Sequence, residues 1–307
     1  MPSLRFIPKI LIISVSLLWA VDAAAEGGDL FTTLSRELER ELSDEIHFLA
    51  DSTCSGREFG TGGDSGAAFY IYRQLADSGY DTSVQTFSTG QRAGHNIVAV
   101  SRGFHSSYIV VGAYFDGIGI IDGVRYPGAD TNASGVSAML ALARHFSRRA
   151  PAGTGFIFVA FDGHDADLAG SREFIRKYAL NYNIRLMVNL DTMGSSLSPV
   201  LRQKPDYLLA LGGRPHAESL EWANRTVGLH LSYDYYGNRG FTDLFYLRTG
   251  DQKWFLERGI PSVMFTSGIT MHTNKPTDTA DTIDYPLLVR RVRMIAGWLA
   301  SMPISPK

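Results

Sequence analysis

The chain of 307 residues has one cysteine, Cys54. A lone thiol closes no disulfide within the chain, so its stability has to come from a packed core. It lacks a charge imbalance too: 29 basic side chains stand against 31 acidic ones, a net charge of −2. That offers no footprint for nucleic acid or another polyanion. There is no internal period, which excludes a repeat array. Only one apolar run approaches spanning length, which excludes a multi-span membrane protein. With 45% hydrophobic and 20% charged residues, the chain has the balance of a folded globular protein.

The one long apolar run is at the start. Arg5 and Lys9 precede residues 10–21, and Ala23, Ala24 and Ala25 follow. A basic segment, a short apolar stretch and small residues are the parts of an export signal. We therefore expect a signal peptide over residues 1–25 and one domain over 26–307, with a periplasmic or secreted product and no stable membrane insertion after cleavage. The other reading is an uncleaved anchor, for which the apolar stretch is short.

The rest alternates. Helix-period segments lie at 30–49, 65–77, 133–148, 168–180, 217–227 and 286–300. Short apolar runs rich in β-branched and aromatic residues lie at 96–100, 108–113, 155–161, 184–190 and 262–266. Near-continuous apolar strands between helices predict an α/β fold, a largely parallel sheet covered on both faces. No Pro/Ser-rich linker divides it. In such sheets, ligand groups gather in loops at the carboxyl ends of strands. Tyr114 and Asp116 end one predicted strand, Asp162, His164 and Asp165 another, and Asp191 a third. Asp130 sits in a Gly-rich loop, and His272 follows the last strand. Several carboxylates and a histidine brought together are a plausible zinc or hard-cation site. The bland reading is that strand-end aspartates are caps and turn residues.

The runs Gly112-Ala113-Tyr114-Phe115-Asp116, Gly128-Ala129-Asp130-Thr131-Asn132-Ala133-Ser134-Gly135 and Phe161-Asp162-Gly163-His164-Asp165 resemble successive motifs of the co-catalytic zinc aminopeptidases, metallopeptidase family 28. Asn189-Leu190-Asp191-Thr192-Met193-Gly194, Gly259-Ile260-Pro261, His272-Thr273 and residues 277–284 continue the series in order. The resemblance implies a three-layer α/β/α zinc-exopeptidase fold with a mostly parallel, mixed central sheet, shared with glutaminyl cyclases. It also implies two zinc ions about 3.5–4 Å apart holding the attacking water.

Carried over position by position, the resemblance makes Asp130 the bridging carboxylate, Asp191 the first-site aspartate and His272 the second-site histidine. Asp116 becomes the aspartate that orients the first histidine. Three positions depart. Tyr114 replaces that histidine, and a neutral phenol is a poor zinc ligand. His164 replaces the general-base glutamate and Asp165 the ligand glutamate, one methylene shorter. Asp130, Asp165 and His272 would still hold one zinc, while Asp130 and Asp191 alone would hold a second weakly or not at all. Asp162 or Asp167 could stand in for Asp165. His164 reads as base, as ligand or as neither, and Tyr114 as an oxyanion donor or a filler. Tyr235, Tyr236 and Asp251 resemble substrate-pocket residues, or tyrosines of a surface loop. The family also has a non-proline cis bond after its bridging aspartate, expected here from Asp130 to Thr131. The activity implied is hydrolysis at peptide N-termini; cyclisation, as in glutaminyl cyclases, and peptide binding without turnover are the alternatives.

Overall fold

The computed structural model describes residues 27–302, without the side chains of residues 27–32 and 236. The expected signal segment lies outside that range. In chain order the elements are α1 (Gly27–Leu49), α2 (Gly62–Asp77), β1 (Asp81–Thr89), β2 (Arg92–Val100), β3 (Ser107–Tyr114), β4 (Gly119–Ile121) and β5 (Val124–Tyr126). Then come α3 (Ser134–Arg149), β6 (Thr154–Phe161), α4 (Ala169–Tyr178), β7 (Ile184–Leu190), β8 (Tyr207–Leu211), α5 (Ala217–Asn224) and β9 (His230–Ser232). The last are α6 (Arg239–Leu244), α7 (Lys253–Glu257), β10 (Ser262–Thr266) and α8 (Tyr285–Ala300). None of the described helices is long and apolar enough to cross a membrane.

The main sheet has eight strands in the order β1-β2-β6-β3-β7-β10-β8-β9. Its central four, β6, β3, β7 and β10, run parallel, while β1–β2, β2–β6 and β10–β8 pair antiparallel. Alternate residues of β3 serve opposite faces, as a pleat requires. Ile109, Val111 and Ala113 join a core built with α1, α2, α3, α5 and α8. Tyr108, Val110 and Tyr114 join a second core with Phe174 and Ile175 of α4 and Phe255 of α7. Every residue of β3 and β6 is buried, which is why both read as unbroken apolar runs. Three layers result, as expected.

Because the four central strands are parallel, their carboxyl ends share one edge. The loops after β3, β6, β7 and β10 therefore meet there, bringing Tyr114, His164, Asp191 and the segment around His272 to the same side of the sheet. A buried cation braces this edge from beneath. Arg57 donates from Nε to the Phe115 carbonyl at 2.7 Å, from Nη1 to the carbonyls of Leu49 and Pro127, and from Nη2 to Gly128 at 2.8 Å. Asn132, also fully buried, donates to the carbonyls of Tyr114 and Leu190 and accepts from the amides of Gly135 and Thr192. Gly135 has to be glycine: a Cβ there would stand 2.3 Å from the Asn132 side chain and 2.5 Å from the Leu190 carbonyl.

Candidate active site at the strand ends

His164 follows β6 in a tight turn, its backbone N–H donating to Asp116 Oδ1 at 3.0 Å. Asp116 thus braces the loop that carries His164. Ring Nδ1 lies 3.0 Å from Oδ2 of Asp251, whose side chain is 1% exposed. The same ring stacks on Tyr114, with centroids 3.8 Å apart and planes at 18°. Tyr114 in turn hydrogen-bonds to the Asp191 carboxylate, which also accepts from Thr192 Oγ1 at 2.8 Å. Two acid–partner pairs, His164–Asp251 and Tyr114–Asp191, therefore lie face to face.

Charge follows from this packing. Burial disfavours a charged His164 ring, yet Asp251, with Asp191 and Asp116 behind it, outweighs that and lifts its pKa to about 9. At neutral pH it is an imidazolium. A protonated ring offers Nε2–H as a charged donor, whereas the resting-base role considered from sequence calls for a neutral one. Burial, and then Asp191, pushes the Tyr114 phenol well above its usual value, so it stays neutral. Burial, and then Asp162, raises Asp116 to about 8.

The expected metal ligands do not converge on one point, although the buried Oδ2 of Asp130 has no partner among the described residues. Asp130 Oδ1 accepts from Ser134 Oγ at 2.8 Å and Gly194 N at 2.7 Å, and its amide donates to Asp278. Burial, and then Asp278, lifts its pKa to about 7. Asp165 is exposed. His272 is half-buried, with Nδ1 3.0 Å from Thr277 Oγ1. The cis bond expected after Asp130 is instead between Thr131 and Asn132. Thr131, not Asp130, is the residue before it. Among the described residues, no three of Asp130, Asp165, Asp191 and His272 bring ligand atoms within 4.8 Å of one another. With a tyrosine in place of an imidazole and Asp191 bonded to it, this donor set does not fit a zinc pair.

The pocket residues differ among themselves. Asp251 is the partner of His164, a role its place 87 residues away in the chain could not disclose. Tyr235 is not a surface tyrosine: it is 2% exposed, packs on Phe241 and Phe245, and its hydroxyl accepts the Ile269 amide. It positions the segment leading to His272. Tyr236 follows it, and its side chain is outside the description. Cys54 is buried, its thiol donating to the Phe48 carbonyl.

This fold has known counterparts. The chain is 29% identical over 254 residues to a probable zinc metalloprotease of Pyricularia oryzae, covering 68% of this chain and 50% of that protein. It spans about half the length of the first curated relatives it matches. A zinc aminopeptidase from Bacillus subtilis superposes with a TM-score of 0.69 at 15% identity, over 85% of this chain and 94% of its own. The Fimbriiglobus ruber glutaminyl cyclase gives 0.71 at 19% identity, over 86% of this chain and 95% of its own. The model of peptidase family M28 matches residues 96–299, taking in all the strand-end loops just described, and the chain belongs to that family.

Proposed function

We propose that the protein is an exported peptidase that removes residues from the N-termini of peptides, with the strand-end cluster as its reacting site. The observation that carries this reading is the 3.0 Å contact between His164 Nδ1 and Asp251 Oδ2. It fixes a charged imidazole where the family resemblance puts the residue that handles protons, and leaves Nε2 with no partner among the described residues. Asp–histidine pairs of this kind orient the ring and stabilise its charged form.

The chemistry available is acid–base. His164 Nε2–H donates to the leaving amine nitrogen as the peptide C–N bond breaks, while the exposed Asp165 carboxylate takes a proton from the attacking water. Tyr114 supplies a flat, neutral wall that keeps the ring in place. No step is assigned to zinc at this edge, because the donor set there does not fit a pair.

The Tyr114–His164 stack favours a second reading, a peptide-binding relative without turnover, since two aromatic rings fill space that the family gives to a ligand and a base. One experiment separates them: incubation with unblocked and N-acetylated peptides, followed by mass spectrometry. Release of the first residue from unblocked peptides alone supports the exopeptidase. Binding without cleavage supports the second reading, and loss of ammonia from an N-terminal glutamine would indicate a cyclase.

A further inference from the structure

Away from the reacting groups, three side chains from separate elements meet at one buried point. Asp64 comes from the first turn of α2, His95 from β2, and Asp162 from the position after β6. One ligand atom from each lies within 4.8 Å of the others. Asp64 is 0% exposed and its Oδ1 meets no N–H or hydroxyl donor, its only side-chain partner being the Asp162 carboxyl; His95 Nδ1 is buried and has no partner. We infer that Asp64, His95 and Asp162 together bind one zinc ion.

Donor chemistry and orientation both favour it. One imidazole and two carboxylates are a catalytic-type zinc set that leaves a position for water. Backbone amides already aim the carboxylates: Gly60 donates to Asp64 Oδ2 at 3.0 Å, and His95 and Gly163 donate to the two oxygens of Asp162 at 2.7 Å each. Such outer hydrogen bonds are what hold ligands in place around a metal. The competing occupant is a proton shared by the two carboxyls. A shared proton satisfies the acids but leaves His95 Nδ1 orphaned, whereas a cation answers all three residues. Burial, and then the charge of Asp162, raises Asp64, and burial raises Asp162, as expected of acids in a pocket short of positive charge.

Access and consequence also follow from position. His95 borders an apolar cavity of about 290 Å³ with Ser65, Phe69, Tyr72, Val84 and Ile97, so the site lies just beneath accessible space. Asp162 stands two residues before His164. A zinc here would tie α2 and β2 to the loop that carries the reacting histidine.

The test is direct. The full chain, stripped with a chelator, is titrated with zinc by calorimetry, with magnesium and calcium as controls, and wild-type crystals grown with zinc are examined for anomalous scattering. We expect one zinc per chain, weak response to the hard cations, and an anomalous peak among Asp64, His95 and Asp162. His95→Ala should weaken affinity at least about 100-fold, while His272→Ala leaves it in place. Absence of zinc binding by wild type, a peak at Asp165 and His272 instead, or unchanged affinity in His95→Ala would overturn the proposal. The crystal result decides even if a variant fails to fold.

Discussion

The ring of Tyr114 lies 3.8 Å from that of His164, nearly parallel to it, at the junction of β3 and β6. A phenol beside a cationic imidazole gains cation–π attraction, and the stack also limits where the ring can turn. Tyr114 in this arrangement is more than a lost ligand, because it fixes the group on which the proposed chemistry depends.

The first prediction is a pH profile. His164 is charged below about 9, so an imidazolium acid gives a kcat/KM that is level near neutral pH and falls as pH rises through about 9. Asp251→Asn removes the nearest counter-charge, so the fall should move to lower pH and the plateau should drop by roughly 10- to 100-fold. Steady-state rates across pH 6 to about 10 check both. A rate that climbs through the same range would show that His164 works as a base.

The second concerns the brace beneath the site. Arg57→Met leaves the carbonyls of Leu49, Phe115 and Pro127 without this donor, and Gly128 with the Ala133 amide alone. Each buried unsatisfied group costs about 1–3 kcal/mol, so denaturant unfolding should show a loss of at least about 3 kcal/mol. Arg57→Lys should recover only part of it, because an ammonium cannot reproduce the guanidinium fork. A loss under about 1 kcal/mol in Arg57→Met would refute the bracing role.

How far this architecture could be read from sequence depends on burial. The runs 184–190 and 262–266 coincide with β7 and β10, because strands covered on both faces must be apolar throughout. β1 escaped notice because it is an edge strand of Asp, Thr, Ser and Gln, with Val84 exposed. Strand-end residues such as Tyr114 and His164 were legible through the family motifs. The His164–Asp251 pair was not, since nothing local links residues 87 positions apart. Asp64, His95 and Asp162 were hidden for the same reason. Asp130 is divided: Ser134 and Gly194 hold its Oδ1, while its buried Oδ2 has no partner among the described residues.

A third prediction follows from the departures themselves. Tyr114→His frees Asp191 from the phenol and supplies the imidazole nitrogen missing from the first metal position, while His164→Glu restores a carboxylate base. Both changes remove groups that the proposed chemistry uses, while Asp130, Asp165 and His272 do not converge, so the double variant should lose about 100-fold or more in kcat/KM on aminoacyl-anilides even with zinc supplied. A gain in rate with zinc would mean instead that Tyr114 and His164 are losses from a metal-dependent catalyst.

The most direct test of the account is kcat/KM for His164→Ala against wild type, on aminoacyl-anilide substrates at neutral pH, with circular dichroism confirming an unchanged fold. If His164, held by Asp251 and stacked on Tyr114, is the proton donor to the leaving amine, the variant loses about 10²–10⁴-fold. A variant as active as wild type would contradict the account and move the reacting groups elsewhere.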